Sequence, residues 1–402
     1  MISPKSRFLS AYFKPTSPIG CFSWPFWFAV VLRAAEPVAP NWLVIANDQT
    51  ISYATGAMSV VSNPGAGSVS LLALGTNPPV LRHLAPVPVS VIGPPTSIAL
   101  HPTRPLAIVT CAMQAEVREG KMQHVPGRQV SLVNLAEEGG GVITTVAVGL
   151  QPSSVSISPD GSYALVTNRS DGTLSVLGVT ETSLQERERV TVAKPEDSLA
   201  HVEISPDGKL GLVTLNKANE VLLLSLDLQG HPTVIDRVSK GSGPYAARFL
   251  PDGRGAAIAN VVSNEVVFLS IKPDGFQVTE SMQVGWIPEG IDVSPDGEWI
   301  AVSCVEGGNQ TDKTHPSYGR PGQVYLLRRN GHGYSQAGIL EVGGGPQAAV
   351  FSPDGNFLLV ANTGAGRLLL FRRGPEGFVN TGQRWSVPGE PISIRRAGEA
   401  PR

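Results

Sequence analysis

Ile157-Ser-Pro-Asp-Gly-Ser-Tyr-Ala-Leu-Val-Thr-Asn168 is the stretch that decides the fold. An apolar residue closes one strand, four turn residues follow, and a second apolar strand ends on asparagine. The turn chemistry is specific. Proline presets φ at the first corner, aspartate accepts local backbone hydrogen bonds, and glycine tolerates the left-handed position that closes a hairpin. The same pattern returns at Ile204–Asn216, Phe249–Asn260, Val293–Cys304 and Phe351–Asn362, with a degenerate copy at Leu100–Cys111.

Working outward, each such hairpin is followed by a third strand, as in Asp171-Gly-Thr-Leu-Ser-Val-Leu177, and by a fourth, as in Arg189-Val-Thr-Val-Ala193. A Gly/Pro connection then leads to the next unit, as at Gly149–Pro152, Gly243-Pro244, Gly285–Pro288 and Gly345-Pro346. Turns that start at 158, 205, 250 and 294 lie 47, 45 and 44 residues apart. Four strands in that length is the size of a propeller blade. The chain ends supply the blade count. Trp42-Leu-Val-Ile-Ala-Asn47 reads as a second strand with no turn before it, and Gly389-Glu-Pro-Ile-Ser-Ile394 as a first strand with nothing after it. Joined, they complete one blade, which with six internal units makes seven. Closure also removes the open sheet edge that invites aggregation. The expectation is an all-β, seven-bladed β-propeller of four-stranded antiparallel blades over 41–396, with a short disordered tail at 397–402. Blades are numbered here from the N-terminus, so the shared blade is blade one.

The Ser-Pro-Asp-Gly turn, the Val-Thr-Asn strand and the shared blade resemble the YVTN repeat family, a group that includes lactonase-like propellers of the 6-phosphogluconolactonase type. The resemblance covers nearly the whole chain. It implies the propeller fold, and it allows but does not dictate lactonase or isomerase activity, because propellers host unrelated functions. The enzymatic members carry Gly-Pro-Arg-His where this chain has Gly243-Pro-Tyr-Ala246, and the glutamate that follows their strand-ending asparagine is replaced after Asn260 by Val261.

Composition agrees with many short strands and narrows the function classes. Gly (44) and Pro (34) are abundant, and 31 basic residues against 33 acidic ones leave a net charge of −2. That balance excludes the basic footprint of a nucleic-acid binder. The three cysteines form no Cys-x-x-Cys pair, no zinc or P-loop motif appears, and the seven histidines are scattered. No metal and no cofactor are expected. His101 replaces a turn serine. Residues 1–40 differ from the rest: Lys5, Arg7 and Lys14 precede the apolar run Cys21–Leu32, and Ala34, Ala35 and Ala39 follow. Basic, apolar, small is the order of a signal peptide. The expectation is a periplasmic or secreted monomer without a membrane span in the mature chain; the alternative is a disordered leader on a cytoplasmic protein.

Two groups of candidate site residues emerge. Long segments at 48–67, 112–128 and 305–322 belong to blades one, two and six and form a crescent on the face opposite the Ser-Pro-Asp-Gly turns. The second carries Lys121, His124 and Arg128, and the third carries Lys313, His315 and Arg320. These would suit an anionic ligand, or be merely solvated charge. The other group lies on the strands lining the channel. Tyr245, Glu289 and Gln347 occupy equivalent positions near their starts. Glu203, Arg248 and Asp292 make an acid–base–acid row on blades four, five and six, with His201 on the same face as Glu203. That row is either an inter-blade ion-pair network or a polar site, with His201 or Glu203 activating water and Arg248 stabilising an oxyanion. Two functions stay open: a module binding a small molecule or a protein at the long-loop face, and a hydrolase or isomerase acting on a lactone or sugar acid.

Overall fold

The computed structural model describes residues 41–53, 58–90, 92–272, 274–308, 310–331 and 333–398. The leader expected at 1–40 and the end of the expected tail, 399–402, lie outside the described residues. Seven four-stranded antiparallel sheets form, with strands in sequence order within six of them. In the seventh, Glu390–Arg396 takes the innermost place beside Trp42–Asp48, then Ser68–Ala73 and Val80–Leu84. Val44 faces Arg395 and Ile45 faces Ile394 across that junction. The two chain ends therefore close the ring as the sequence implied.

The turns act as their residues require. In blades three, four, six and seven the turn serine donates to the turn aspartate, and that aspartate accepts from a backbone N–H two residues on. The same serine oxygen accepts from the N–H that opens the next strand. Gly161, Gly208, Gly297 and Gly355 take φ of 75°, 73°, 70° and 69°, the left-handed conformation that only glycine adopts freely. In blade two, Nδ1 of His101 accepts from the N–H groups of Thr103 and Arg104 at 3.2 Å, so the imidazole holds the turn by bonds different from those of the serine it replaces.

Blades pack face to face through apolar side chains that alternate along the strands. Buried clusters sit at the interfaces: Val44, Val69, Ile98 and Val109 join blades one and two, while Leu43, Leu72, Val350 and Leu359 join blades seven and one. Corresponding clusters fill the five other interfaces. One expected loop is instead regular structure. Leu106–Arg118 and Lys121–Asn134 form a long hairpin. Its turn residues Glu119 and Gly120 both have positive φ, 51° and 72°, the geometry whose twist matches flanking strands. The first long segment holds a small hairpin, Ile51–Ser52 with Ser59–Val60. Among the described residues, no helix is long and apolar enough to cross a membrane.

Candidate functional site

In blades three to seven the innermost strand carries a register break near its start. It falls between Pro152 and Ser154, Leu199 and His201, Pro244 and Ala247, Pro288 and Gly290, and Pro346 and Ala348. A bulge leaves residues without a ladder partner and re-aims their side chains. Ser153, Ala200, Tyr245, Glu289 and Gln347 occupy those positions. The repeat thus builds a ring of bulged residues at the long-loop end of the channel, and three neighbouring blades fill it with Tyr245, Glu289 and Gln347. Gly290 follows from the same crowding, because a Cβ there would lie 2.3 Å from the Gln347 carbonyl oxygen and 2.4 Å from Ser303 Oγ.

Glu289 is the chemically unusual group. Burial pushes its carboxyl up to about 7, against the opposing pull of a hydrogen bond from Gln347 and the Arg169 charge. Its Oε2 is buried without a hydrogen-bond partner. Burial and the Glu289 charge also raise the Tyr245 phenol, so it stays a proton donor. The Arg169 guanidinium lies 5.7 Å from the Tyr245 ring centroid and is oriented by Ser198 Oγ at 2.8 Å and Asn216 Oδ1 at 3.3 Å. Tyr53 reaches the same mouth from the first long segment. Burial first, then Glu289, Tyr245, Asp48 and Glu390, hold its phenol protonated. Its backbone N–H donates to Glu390 Oε1 at 3.2 Å, and its side chain borders a narrow cleft with Gly308, Gly345, Gln347 and Thr363.

The acid–base–acid row exists, but at the other end. Arg248 lies 3.3 Å from Glu203 and 3.2 Å from Asp292. The strand that closes the ring adds Arg396, 2.7 Å from Asp292. His201 is fully buried: its Nδ1 meets Ser154 and Thr96 hydroxyls at 3.1 Å, and its Nε2 lies 3.0 Å from the Ala247 carbonyl and 3.5 Å from Glu203. Burial lowers its pKa, so the ring is neutral. Glu203, Arg248 and Asp292 line a cavity of about 250 Å³ that is bordered by the prolines of the turns. Glu289 stands three residues before Asp292, roughly 10 Å along an extended strand, so it does not join them. The channel-lining candidates divide into a turn-side and a long-loop-side group.

The candidates on the long segments are dispersed. Lys121 is exposed beside the tip of the long hairpin, where it pairs with Arg118. His124 Nε2 lies 2.8 Å from Thr50 Oγ1, whose hydroxyl is 2.6 Å from the buried Asp48. Arg128 is held by the Val148 carbonyl at 3.2 Å, with Asp171 at 3.9 Å. His315 lies 2.8 Å from Ser317 Oγ and sets its ring edge-on to Trp286, centroids 4.9 Å apart. Lys313 and Arg320 are exposed. Sequence reasoning missed Arg169, Tyr53, Asp48 and Glu390. Arg169 alone had a signal, since it directly follows the strand-ending Asn168 in blade three.

The family described as "Lactonase, 7-bladed beta-propeller" matches residues 29–311 and, in a second alignment, 127–391. Among solved structures, a candidate 6-phosphogluconolactonase from Bacteroides uniformis is 16% identical with a TM-score of 0.67, covering 89% of this chain and 99% of the other. The periplasmic gluconolactonase of Pseudomonas aeruginosa is 20% identical with a TM-score of 0.65, covering 88% and 98%. Hydrazine synthase of Kuenenia stuttgartiensis is 20% identical with a TM-score of 0.55, covering 72% and 79%. At such identities these likenesses speak for the fold. No curated protein matches the sequence.

Proposed function

Because the chain belongs to the lactonase family of seven-bladed β-propellers, we propose that it is a hydrolase that opens a lactone at the long-loop mouth of the channel, with Glu289 as the proton-transferring group. The observation that carries this reading is the Glu289 carboxyl, half-buried, one oxygen unpartnered, and raised to about 7. A general base works best when its pKa lies near the operating pH. In this reading Glu289 takes a proton from water as the water oxygen bonds to the lactone carbonyl carbon. Tyr245 and Arg169 donate to the carbonyl oxygen as it becomes an oxyanion. Collapse breaks the ring C–O bond, and Glu289 returns the proton to the departing alkoxide. The product is a hydroxy acid, and neither oxidant nor reductant is consumed. The missing Gly-Pro-Arg-His motif is consistent with this scheme if Arg169 provides the cation from blade three, two blades away from Tyr245, and Glu289 replaces the imidazole.

A second reading, a non-catalytic binding module, is favoured by the long segments themselves. Each exposes an apolar side chain: Met58, Val117 and Tyr318. A pH-stat assay with δ-gluconolactone and dihydrocoumarin separates the two. Lactonase action predicts turnover that falls at least ~100-fold in Glu289→Gln, the scale on which a general base contributes, with KM little changed. Turnover that survives the substitution removes Glu289 from the mechanism. No turnover of any lactone favours the binding module.

A further inference from the structure

The long-loop mouth holds buried acceptor oxygens that meet no donor among the described residues. Gln347 is 7% exposed, and its Oε1 is buried without a hydrogen-bond partner. Glu390 is 9% exposed; its Oε1 accepts the Tyr53 N–H at 3.2 Å, and its Oε2 is buried without a partner. The Gly366 N–H also acts on that carboxyl, but it is committed to the Thr363 carbonyl at 2.9 Å. With Glu289 Oε2, these oxygens come from three adjacent blades: six, seven and one. Tyr53 links them, since its N–H holds Glu390 and it borders one narrow cleft with Gln347, Thr363 and four glycines. Thr363 fastens blade seven to blade one there, donating to the Pro391 carbonyl at 2.7 Å. Charge points the same way. Glu289, Asp48 and Glu390 all act on the Tyr53 phenol, and Asp48 is held by the N–H and hydroxyl of Thr50. The Arg169 charge acts on Glu289 and Tyr245 from blade three. The groups acting on Glu390 are two backbone N–H groups and the Asp48 carboxylate. A buried carboxylate in such company is stabilised by a cation, and a buried acceptor by a donor.

We propose that the substrate of this mouth is an amino lactone, whose primary ammonium group donates to Gln347 Oε1 and Glu390 Oε2 while its ring lies toward Glu289. The lactone half of this assignment rests on the function proposed above; the ammonium half rests on the unpartnered oxygens. An ammonium group brings three donors and a positive charge, so it meets both needs at once. A hydroxyl brings one donor and leaves the Glu390 charge uncompensated. Size favours the unsubstituted ion. The cleft beside Gln347 measures about 10 Å³, room for a group the size of one water molecule. Its walls are largely glycine backbone, at Gly308, Gly344, Gly345 and Gly364. A primary ammonium fits that space, whereas a trimethylammonium group does not.

Lactams, which resist the ring opening that lactones undergo, test the ammonium site by binding alone. Calorimetric titration of the full chain near neutral pH compares α-amino-γ-butyrolactam with its α-hydroxy and α-trimethylammonium analogues. The primary amine should bind saturably and at least tenfold more tightly than either. Glu390→Gln keeps an acceptor for the Tyr53 N–H and removes the charge, so it should abolish the preference for amine over hydroxyl while the circular dichroism spectrum is retained. If that variant does not fold, Gln347→Met serves in its place and should weaken the amine at least tenfold. Equal binding of the amine and hydroxyl lactams, tighter binding of the trimethylammonium analogue, a preference that survives Glu390→Gln, or no saturable binding would overturn the assignment. The two readings fail separately. Lactone turnover without a preference for the amine overturns the ammonium site and keeps the hydrolase. Tight binding of the amino lactam with no lactone turned over keeps the ammonium site and removes the hydrolase.

Discussion

Consider the replacement of Glu289 by glutamine, which keeps the shape of the side chain and removes its charge. Burial raises the carboxyl from an ordinary 4.5 to about 7. Between those values the native state holds a proton that the unfolded state releases. Wild-type stability therefore falls as pH rises through that window and is lowest above it. At ~1.36 kcal/mol per pH unit the charged form costs the fold roughly 3 kcal/mol above about pH 8. Solvent reaches the half-buried side chain, which reduces this to ~2 kcal/mol. For a ring of this length the unfolding entropy is about 0.75 kcal/mol per kelvin. Glu289→Gln should then melt ~3 °C above wild type near pH 8 and within about 1 °C of it near pH 5. Scanning calorimetry at the two pH values reads the difference directly. A variant no more stable than wild type near pH 8, or equally stabilised at both, would refute burial as the cause. Stability gained where activity is lost is the signature expected of a group kept strained for function.

Removing residues 389–402 should lower the melting temperature by ~10 °C or more, or abolish soluble expression, because it takes the innermost strand from blade one and leaves Trp42–Asp48 as an open edge. An unchanged melting temperature in that truncation contradicts ring closure. Arg248→Met should cost ~3–5 kcal/mol in urea unfolding, since Glu203 and Asp292 lose their shared cation. The double variant Arg248→Met with Glu203→Gln should recover part of that loss, and full additivity of the two single effects would show that the pair is not coupled.

How much could be read without coordinates depended on the range of the interaction. Ser-Pro-Asp-Gly specifies its turn through bonds that span only a few residues, such as Ser158 to Asp160 and Asp160 to Ser162. His101 could be recognised as a turn residue for the same reason. Repetition then gave the number of blades, and the two half-units at the ends gave the closure between Trp42–Asp48 and Glu390–Arg396. The alternation of Glu203 and Asp292 with apolar neighbours correctly put the acid–base–acid row on one face. Even the hairpin of Leu106–Asn134 carried a local signal in Glu119-Gly120, which insertion length alone obscured.

The site did not share that legibility. Arg169, Tyr245, Glu289 and Tyr53 come from blades three, five, six and one, and no local pattern states which of them meet. Ring closure decides that, by bringing the bulged strand starts of blades three to seven and the first long segment around one channel. Arg396 enters the Asp292 pair because the last strand returns to complete the first blade. Position along the strand decides the rest: three residues and a bulge separate Glu289 from Asp292, placing one carboxyl at the long-loop mouth and the other in the turn-side cavity. The raised pKa of Glu289 arises from desolvation by elements distant in sequence. Sequence by itself determined the turns, the blades and their number, because hairpin chemistry is local. Tertiary structure alone decided which side chains share a mouth and which charges are buried together, because those depend on distances across a ring between strands roughly one blade or more apart in the chain.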